Sequence, residues 1–421
     1  MKHLKTSLLA LTCLASFSAH AQKYVGGDIS LLSAYEEHGA SYYDTDGTTP
    51  ITNLLEYFQQ QGHNAMRVRL FHTPSNAPAQ AKGEGVIQDL PYVVALGQRI
   101  KANGMAFMLD LHYSDTWADP SNQWLPKAWE GLTDVALQDS VYNYTKKVLQ
   151  ALVDANATPD FIQTGNEISY GMLWGVNGGS SCKKYYAGQS TNAVRFFNLL
   201  KYAGKACRDV CPNAKIVLHT ERISTPDYIV KWYKDMDQNQ VDYDIIGTSY
   251  YSYYHGDLKQ LSKALQTIER NFSKDIMVVE TGYYHDWQPN TVDYDLSDTY
   301  PINGEGQKAF TEALIDTLNA HPQVKGLFWW DMEVNEHGLD WNTQRVTDGW
   351  YNAGLFDNAT GAAEPAIKVL KNFLVTNKID IPSANATAET GQQWYTLSGQ
   401  AVQQPQRAGI YIHNGRKTVR K

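Results

Sequence analysis

Short apolar runs alternate with longer amphipathic segments over most of the chain. Each apolar run has the length and composition of a buried β-strand, and each longer segment repeats its apolar positions with the period of an α-helix. The runs occupy residues 24–29, 65–71, 106–111, 161–165, 216–219, 243–249, 276–280 and 326–330. The helical patterns occupy residues 53–61, 90–103, 137–155, 189–208, 227–236, 258–271, 306–320 and 364–375.

Eight strand–helix repeats predict a parallel sheet that closes on itself. Parallel strands need a crossover connection, which the helices supply. Eight units favour a (β/α)8 TIM barrel over an open sheet. Gly62 and Gly104 follow two of the helical patterns, where a left-handed cap position suits glycine. The predicted fold class is therefore α/β, a barrel with a short C-terminal β-type appendage or tail.

The N-terminal end, residues 1–21, has the pattern of a secretory signal peptide. It begins with Lys2 and Lys5, continues with an apolar stretch too short to span a bilayer, and ends in small residues around Ala21. A lipid-modified Cys13 is the alternative, but the preceding residues fit a lipobox poorly. We expect an exported protein without a transmembrane segment, located at the cell surface, in the periplasm or outside the cell.

The composition changes again after the predicted barrel domain, residues 22–378. Residues 379–421 are rich in Gln, Ser, Thr and Ala, contain short strand-like runs and end in basic residues. We interpret them as a linker and a small β-type tail. The end of this tail resembles C-terminal tails of exported bacterial proteins, some of which are sorting signals; a poorly ordered tail without a function is the equal alternative.

Charge and composition narrow the class of ligand. The formal net charge is −8, or about −10 once the two lysines of residues 1–21 are removed. Nucleic-acid binding requires a basic surface, so we expect no nucleic-acid partner. Aromatic residues make up 12% of the chain, with 11 Trp and 27 Tyr. Flat aromatic faces stack against sugar rings, so this excess favours carbohydrate, although tyrosines in the core and at interfaces would also account for it.

Cysteines indicate neither a zinc site nor a disulfide framework. Cys182, Cys207 and Cys211 follow the signal segment, and no Cys/His set has zinc-ligand spacing. Export permits a disulfide, but three thiols leave at least one free. We expect small structural roles for all three.

Two glutamates lie where the fourth and seventh apolar runs give way to a polar turn, and a barrel places its catalytic groups at such strand ends. Glu167 lies in FIQTGNEIS and Glu280 in DIMVVETGYY. Two facing carboxyl groups about 5–5.5 Å apart can act as acid/base and nucleophile in retaining glycoside hydrolysis. The acid needs a raised pKa to hold its proton until it is used. Asn166, directly before Glu167, suits a hydrogen bond to a sugar hydroxyl. A structural ion pair at the barrel rim is the alternative.

Six segments of the chain, two of which contain these glutamates, resemble glycoside hydrolase family 53 in sequence, order and spacing. This family comprises the arabinogalactan endo-β-1,4-galactanases and belongs to clan A. The most specific is DLHYSDTWADP, residues 110–120. The others are GGDISLL from residue 26, MRVRLFHTP from 66, TGNEISYGMLW from 164, GTSYYSYYHG from 247 and VVETGY from 278. The likeness extends over about residues 24–375.

The resemblance implies a role for each matching residue. Glu167 is the expected acid/base and Glu280 the nucleophile, with Asn166 on the sugar 2-hydroxyl. An arginine of the second strand is expected beside Glu280; Arg67 and Arg69 share a strand face, and Arg67 is slightly favoured. The other expected substrate-binding residues are His112, Asp115, Trp117, Trp174, Tyr250, Tyr251 and Trp330. The alternatives are structural roles: a buried histidine with satisfied hydrogen bonds for His112, and packing of a loop for Trp117.

The resemblance implies action on β-1,4-galactan and its oligosaccharides with retention of configuration. We expect a monomer, and the two-carboxylate mechanism requires no cofactor. A structural calcium ion in a loop after the seventh strand is an open alternative; its candidate ligands are Asp286, Asp293, Asp295 and Asp298. Other open functions are a β-mannanase or xylanase of the same clan, an inactive glycan-binding barrel, and a metal-dependent barrel lyase.

Overall fold

The computed structural model describes residues 22–180, 182–375, 394–396, 401–402, 409–413 and 416–420. The chain divides into two compact units, residues 1–375 and 376–421. The predicted signal peptide lies outside the described residues, as does most of the predicted linker.

Eight parallel strands form a closed barrel, in which each strand pairs with its neighbours in sequence and the last pairs with the first. They are β1 Tyr24–Asp28, β2 Ala65–Leu70, β3 Ala106–Leu111, β4 Phe161–Thr164, β5 Lys215–Thr220, β6 Ile245–Tyr251, β7 Asp275–Gly282 and β8 Val324–Trp329. Every strand coincides with a predicted apolar run to within two residues at either end. The (β/α)8 TIM barrel is confirmed.

A helix follows each strand and packs on the outside of the barrel. The helices are α1 Leu54–Gln60, α2 Leu90–Ala102, α3 Asp134–Asp154, α4 Ala193–Val210, α5 Pro226–Gln238, α6 Leu258–Glu269, α7 Gly304–Asn319 and α8 Ala366–Val369, which continues as the 3-10 helix Leu370–Leu374. Five of them begin at a side chain that accepts a backbone N–H of the first turn. Gly62 and Gly104 both adopt the left-handed conformation predicted for them.

Several short elements of the loops were not predicted. They are the helices Leu32–His38, Ala79–Gly83 and Ser252–His255 and a two-stranded ribbon, Tyr42–Tyr43 with Pro50–Ile51. Each is too short to show a periodic pattern of apolar residues.

The barrel interior is apolar at the N-terminal end of the strands. Alternate residues of a strand face the same side, and the inward ones form a packed layer of Ala65, Met108, Phe161, Val217, Ile245, Met277, Val279 and Phe328. A much larger cluster fills the space between the strands and the helices. This layer is therefore a packed floor that closes the interior of the barrel.

The C-terminal unit contains a four-stranded antiparallel sheet. Its strands are β9 Trp394–Thr396, β10 Ala401–Val402, β11 Gly409–His413 and β12 Arg416–Arg420, in the order β10-β9-β11-β12. The strand-like runs of the predicted tail thus form strands. In the part of the chain that the structure describes, no helix is both long and apolar enough to cross a membrane, and Cys182, Cys207 and Cys211 are free thiols.

Candidate active site

A polar layer lies directly above the apolar floor of the barrel. On β3, Met108 belongs to the floor and Asp110, two residues later, to the polar layer, because residues two apart share a strand face. The layer is held together by hydrogen bonds between buried side chains from seven strands. Its members are Asp28, Arg67, Asp110, Gln163, His219, Ser249 and Glu280.

A β-bulge at the end of β7 brings Glu280 into this layer. Val278 pairs with Thr248 of β6, but the next pair joins Glu280 to Ser249, so one residue of β7 has no counterpart. The register with β8 shifts at the same place. An extra residue changes the side-chain alternation of the bulged strand. Val279 can therefore pack in the floor while the adjacent Glu280 also points inward.

Glu280 is fixed by two donors. Nη2 of Arg67 lies 2.9 Å from its Oε1, and the hydroxyl of Tyr251 donates to its Oε2 at 3.1 Å. The same guanidinium group is paired with Asp28 at 3.0 Å and with Asp110 at 2.7 Å. Of the two arginines that the sequence left open, Arg67 is thus the one that contacts Glu280.

Glu167 is placed by a tight turn after β4. Gly165 has a φ of 105°, and Glu167 itself adopts the left-handed region with φ 48° and ψ 51°. A non-glycine residue in this region costs about 1–3 kcal/mol unless its surroundings hold it there. The turn directs the carboxyl group towards β6, where the Ser249 hydroxyl donates to Oε1 at 2.6 Å.

The two glutamates meet across the top of the barrel. A carboxylate oxygen of Glu167, a carboxylate oxygen of Glu280 and a ring nitrogen of His219 all lie within 4.8 Å of one another. Carboxyl groups about 5–5.5 Å apart are typical of retaining glycoside hydrolases, whereas inverting enzymes need about 6.5–9.5 Å to admit a water molecule. The observed separation fits a retaining pair.

The electrostatic surroundings distinguish the two carboxyl groups. Burial raises the pKa of Glu167 well above its ordinary value, and the negative charges of Glu280 and Glu221 raise it further. Burial also raises the pKa of Glu280, to about 7, although the Arg67 guanidinium opposes this shift. Only Glu280 has a cation against its carboxylate. A proton taken up by the pair therefore sits on Glu167.

An open cleft of about 750 Å³ leads to the two glutamates. Five tryptophan and tyrosine side chains line it, those of Trp117, Tyr251, Tyr254, Trp330 and Trp350. Its wall also carries several carboxylates besides the catalytic candidates, namely Glu84, Asp119, Glu221, Asp293, Asp331 and Asp348, with Arg222 as the one arginine or lysine among the lining residues that the structure describes. Aromatic faces and hydrogen-bonding groups around a carboxyl pair are suited to a neutral sugar chain.

Comparison with known proteins agrees with this geometry. The sequence profile of glycosyl hydrolase family 53 matches residues 24–370. The chain belongs to glycosyl hydrolase family 53. The endo-beta-1,4-galactanase of Bacillus subtilis (strain 168) is 30% identical over 313 residues, which are 73% of this chain and 69% of that protein.

Two solved structures of the family have the same fold. The GH53 catalytic domain of Ignisphaera aggregans is 30% identical, with a TM-score of 0.72 over 83% of this chain and 95% of that one. A structure of fungal beta-1,4-galactanases is 27% identical, with a TM-score of 0.68 over 83% of this chain and 99% of that one. The predicted family is confirmed.

In this family 53 barrel, the predicted residues Asn166, Trp117 and Trp330 lie beside the glutamates. Asn166 lines the cleft, accepts from Arg67 at 3.0 Å and donates to the Ala118 carbonyl at 2.8 Å. Trp117 and Trp330 lie against Arg69, whose Cζ is 4.9 and 5.1 Å from the two ring centres. Arg69 is therefore a buried support for the aromatic wall.

Three residues predicted to bind substrate are not among those that line the cleft. Asp115 accepts the Lys127 backbone N–H at 2.9 Å and so holds a loop. Trp174 is fully buried, and its indole N–H donates to the Tyr170 carbonyl. Tyr250 is buried on the helix side of β6 and donates to the Gly256 carbonyl. Strand alternation explains the last case, since Tyr251, one residue later, faces Glu280.

His112 is held in place by contacts with other protein groups. One ring nitrogen lies 3.0 Å from Asp110, and the other accepts the Ala118 backbone N–H at 3.1 Å. The ring packs on Phe71 and Trp117. His112 thus fixes the segment that carries Trp117, and its position beside the cleft depends on this packing.

Four residues of the site were not singled out from the sequence: His219, Glu221, Ser249 and Trp350. His219 and Glu221 follow the fifth apolar run, and Ser249 lies in the sixth, so the rule that barrel chemistry gathers at strand ends could have found them. Trp350 belongs to a long loop after β8, and no pattern in the sequence indicates that it folds over the cleft.

The calcium alternative finds no support in the geometry. Within the residues that the structure describes, no three side-chain oxygens of the candidate ligands Asp286, Asp293, Asp295 and Asp298 come together. Calcium needs six to eight oxygens in a compact arrangement. Asp295 is instead used by Gln288 and by the backbone of Ser297.

Proposed function

We propose that this family 53 protein is an endo-β-1,4-galactanase that hydrolyses galactan and type I arabinogalactan with retention of configuration. The observation that carries the proposal is the separation of at most 4.8 Å between carboxylate oxygens of Glu167 and Glu280 in an open aromatic cleft. The galactanase names of its relatives support the choice of substrate. The open cleft suits the interior of a polymer, and hence endo cleavage.

Glu280 is the proposed nucleophile. Its carboxylate attacks C1 of the galactosyl unit and forms a glycosyl-enzyme intermediate. Arg67 and Tyr251 hold both of its oxygens, so the side chain is oriented before substrate arrives. The positive charge of Arg67 also keeps Glu280 the more acidic member of the pair, as a nucleophile requires.

Glu167 is the proposed acid/base. It gives its proton to the leaving oxygen in the first step and takes a proton from the attacking water in the second. Its raised pKa supports the first role. Once the ester has formed, Glu280 is neutral and no longer repels the charge on Glu167, so the pKa of Glu167 falls and its carboxylate can act as the base. Asn166 retains a second amide hydrogen for the 2-hydroxyl of the reacting sugar, since one is used by Ala118.

The aromatic residues of the cleft are the proposed substrate platform. Trp117, Trp330 and Trp350 present faces on which galactosyl rings can stack, and the lining carboxylates can accept sugar hydroxyls. No cofactor enters the proposed steps. We further propose that the protein is exported, acts as a monomer and degrades pectic side chains.

The test is the time course of products from unbranched β-1,4-galactan, with mannan and xylan in parallel. We expect a ladder of oligosaccharides whose new reducing ends are initially β, as seen by NMR. Absence of galactan cleavage, with cleavage of mannan or xylan, would overturn the substrate assignment. An initial α product would overturn retention.

Azide rescue of alanine variants assigns the two roles. Glu280→Ala should lower kcat by roughly 10⁴- to 10⁶-fold, because the covalent step is lost. Azide should restore turnover of an activated aryl β-galactoside, with an α-azide product from Glu280→Ala and a β-azide product from Glu167→Ala. Glu305→Ala, an exposed change on α7, controls for expression and folding. Exchange of the two azide configurations would reverse the assignment.

A further inference from the structure

A chain of hydrogen bonds runs from a buried histidine to Glu167. Nε2 of His219 lies 2.8 Å from Oγ of Ser249, and the same Oγ lies 2.6 Å from Oε1 of Glu167. Both His219 and Ser249 are fully buried. Neither residue is among those that line the cleft, so any contribution to the reaction passes through residues that do.

The other ring nitrogen of His219 lies among polar groups of β4 and its turn. Nδ1 is 3.1 Å from the Gln163 amide nitrogen and 3.4 Å from the backbone nitrogen of Glu167, both of which can donate. It is also 3.0 Å from Oδ1 of Asn166. That oxygen has donors of its own, Arg67 at 3.0 Å and Gln163 at 3.2 Å. The neighbours of Nδ1 thus permit either tautomer, so the contact between Nε2 and Ser249 determines which tautomer is present.

The ionised state of Glu167 determines the tautomer of His219. A hydroxyl oxygen 2.6 Å from a carboxylate oxygen must place its hydrogen between them. Ser249 has a single hydrogen, so none is left for the 2.8 Å contact with His219. Nε2 must then supply that hydrogen, and Nδ1 becomes the acceptor for Gln163 and the Glu167 backbone.

We propose that His219, as the Nε2–H tautomer, is a positioning residue that fixes the direction of the Ser249 hydroxyl and thereby the oxygen of Glu167 that carries the catalytic proton. Because Ser249 always donates to Oε1, the acid proton resides on Oε2. In the first step the Oε2–H bond breaks as the proton passes to the glycosidic oxygen, and in the second Oε2 takes a proton from water. The inference rests on the proposed acid/base role of Glu167.

The charges around both groups suit this arrangement. Glu167 faces the carboxylates of Glu280, Glu221 and Asp119, all of which favour its protonated form. His219 faces Arg67, Asp110 and His112; burial, followed by the Arg67 charge, lowers its pKa, although Asp110 opposes. A neutral imidazole is needed, since an imidazolium would donate from both nitrogens and leave the Glu167 backbone N–H facing another donor.

Ser249→Ala and His219→Phe test the proposal in the full-length protein. Loss of a hydrogen bond to a charged group should lower kcat on galactan roughly 10- to 100-fold. The pKa of Glu167 should rise because its carboxylate loses a donor, so the basic limb of the kcat/KM profile should move to higher pH. The burst of dinitrophenolate from a 2,4-dinitrophenyl β-galactoside should be nearly unchanged, since that leaving group needs no protonation.

Rescue and coupling separate this role from a merely structural one. His219→Gln keeps an N–H close to Ser249 and should recover most of the rate. The double variant Ser249→Ala/His219→Phe should be no slower than the worse single variant, because both changes break one chain. Thr248→Val, which removes the adjacent hydroxyl, is the matched control, because that group contacts only a backbone carbonyl among the described residues.

Several results would overturn the proposal. They are an unmoved basic limb, equal losses on galactan and on the activated glycoside, or additive effects in the double variant. The tautomer can be read directly from ¹⁵N NMR of labelled histidine, with His219→Gln to assign the signal; a proton on Nδ1 at a pH where Glu167 is ionised would also exclude it. This measurement needs no substrate, so it stands even if wild-type protein does not cleave galactan, which would defeat only the proposed function.

Discussion

Glu221 is a third carboxylate at the catalytic pair, and it illustrates how one neighbouring residue can set a working pH. It follows β5, lines the cleft and accepts the Ser169 hydroxyl with both oxygens, at 2.6 and 2.8 Å. Its negative charge is among the causes of the raised pKa of Glu167. The proposed reaction needs only two glutamates. Glu221 therefore affects the pKa of Glu167 without contacting the glycosidic bond that breaks.

Glu221→Gln should move the basic limb of the galactan kcat/KM profile to lower pH. The amide can still accept from Ser169, but it no longer repels the charge on Glu167, so the pKa of Glu167 falls and the acid loses its proton earlier. Glu84→Gln, which neutralises another carboxylate of the cleft, should leave that limb in place. A shift to higher pH, or equal shifts in both variants, would show that the charge of Glu221 is not felt by Glu167.

At this scale the sequence indicates which residue types meet but not which atoms do. Glu167, Glu280 and Asn166 are predictable because each lies at or just after the end of an apolar run, at the end of a barrel strand. Tyr250 and Tyr251 differ by one position, and only the actual phase of β6 shows that Tyr251 faces Glu280. His219 was not predicted, because a single histidine in a strand more often has a structural role. Its proposed role depends on Ser249, which lies 30 residues further along the chain.

The turn between β4 and the following 3-10 helix is the element that aims the acid. Gly165 has a φ of 105°, and a Cβ added there would lie 2.7 Å from a side-chain carbon of Ile168. Glycine is therefore required both by conformation and by space. The turn carries Asn166 and Glu167 as its next two residues, so any relaxation of the backbone displaces both.

Gly165→Ala should lower the free energy of unfolding by roughly 1–3 kcal/mol, through strain and crowding at the turn. It should also lower kcat on galactan, because Glu167 moves relative to Glu280. Gly131→Ala is the matched control: Gly131 has a similar left-handed φ of 76°, but nothing lies within 4 Å of the added Cβ. Thermal unfolding and initial rates of both variants check this. A Gly165→Ala protein as active as Gly131→Ala would contradict the role of the turn.

Element type was predictable throughout the barrel, and element detail was not. The eight strands coincide with the apolar runs because buried parallel strands are apolar on both faces. No sequence pattern indicates the bulge at Val279. Two consecutive residues of this buried strand can both face inward only because the pairing with β6 and β8 shifts by one residue. The position of the nucleophile thus depends on tertiary pairing that no local pattern encodes.

For the whole molecule, the catalytic apparatus and the acidic cleft belong to one of two units. Every residue lining the cleft lies between Glu84 and Trp350, inside the unit of residues 1–375. The formal charge of −8 and the lining carboxylates fit a neutral polysaccharide better than a polyanionic one. The four-stranded sheet of residues 394–420 has its own strand pairing.

A chain that ends at Val375 should therefore hydrolyse galactan with the kcat and KM of the full-length protein. All proposed catalytic and substrate-binding residues, and both hydrophobic clusters around the barrel floor, lie before that point. Initial rates on galactan over a range of concentrations, together with the melting temperature of each protein, measure the outcome. A matched chain that ends at residue 369 removes Leu370 and Phe373 from the main hydrophobic cluster and should lose stability. If the chain ending at Val375 kept its melting temperature but bound galactan more weakly, the C-terminal sheet would have to contribute to substrate binding; an equal KM confines recognition to the barrel.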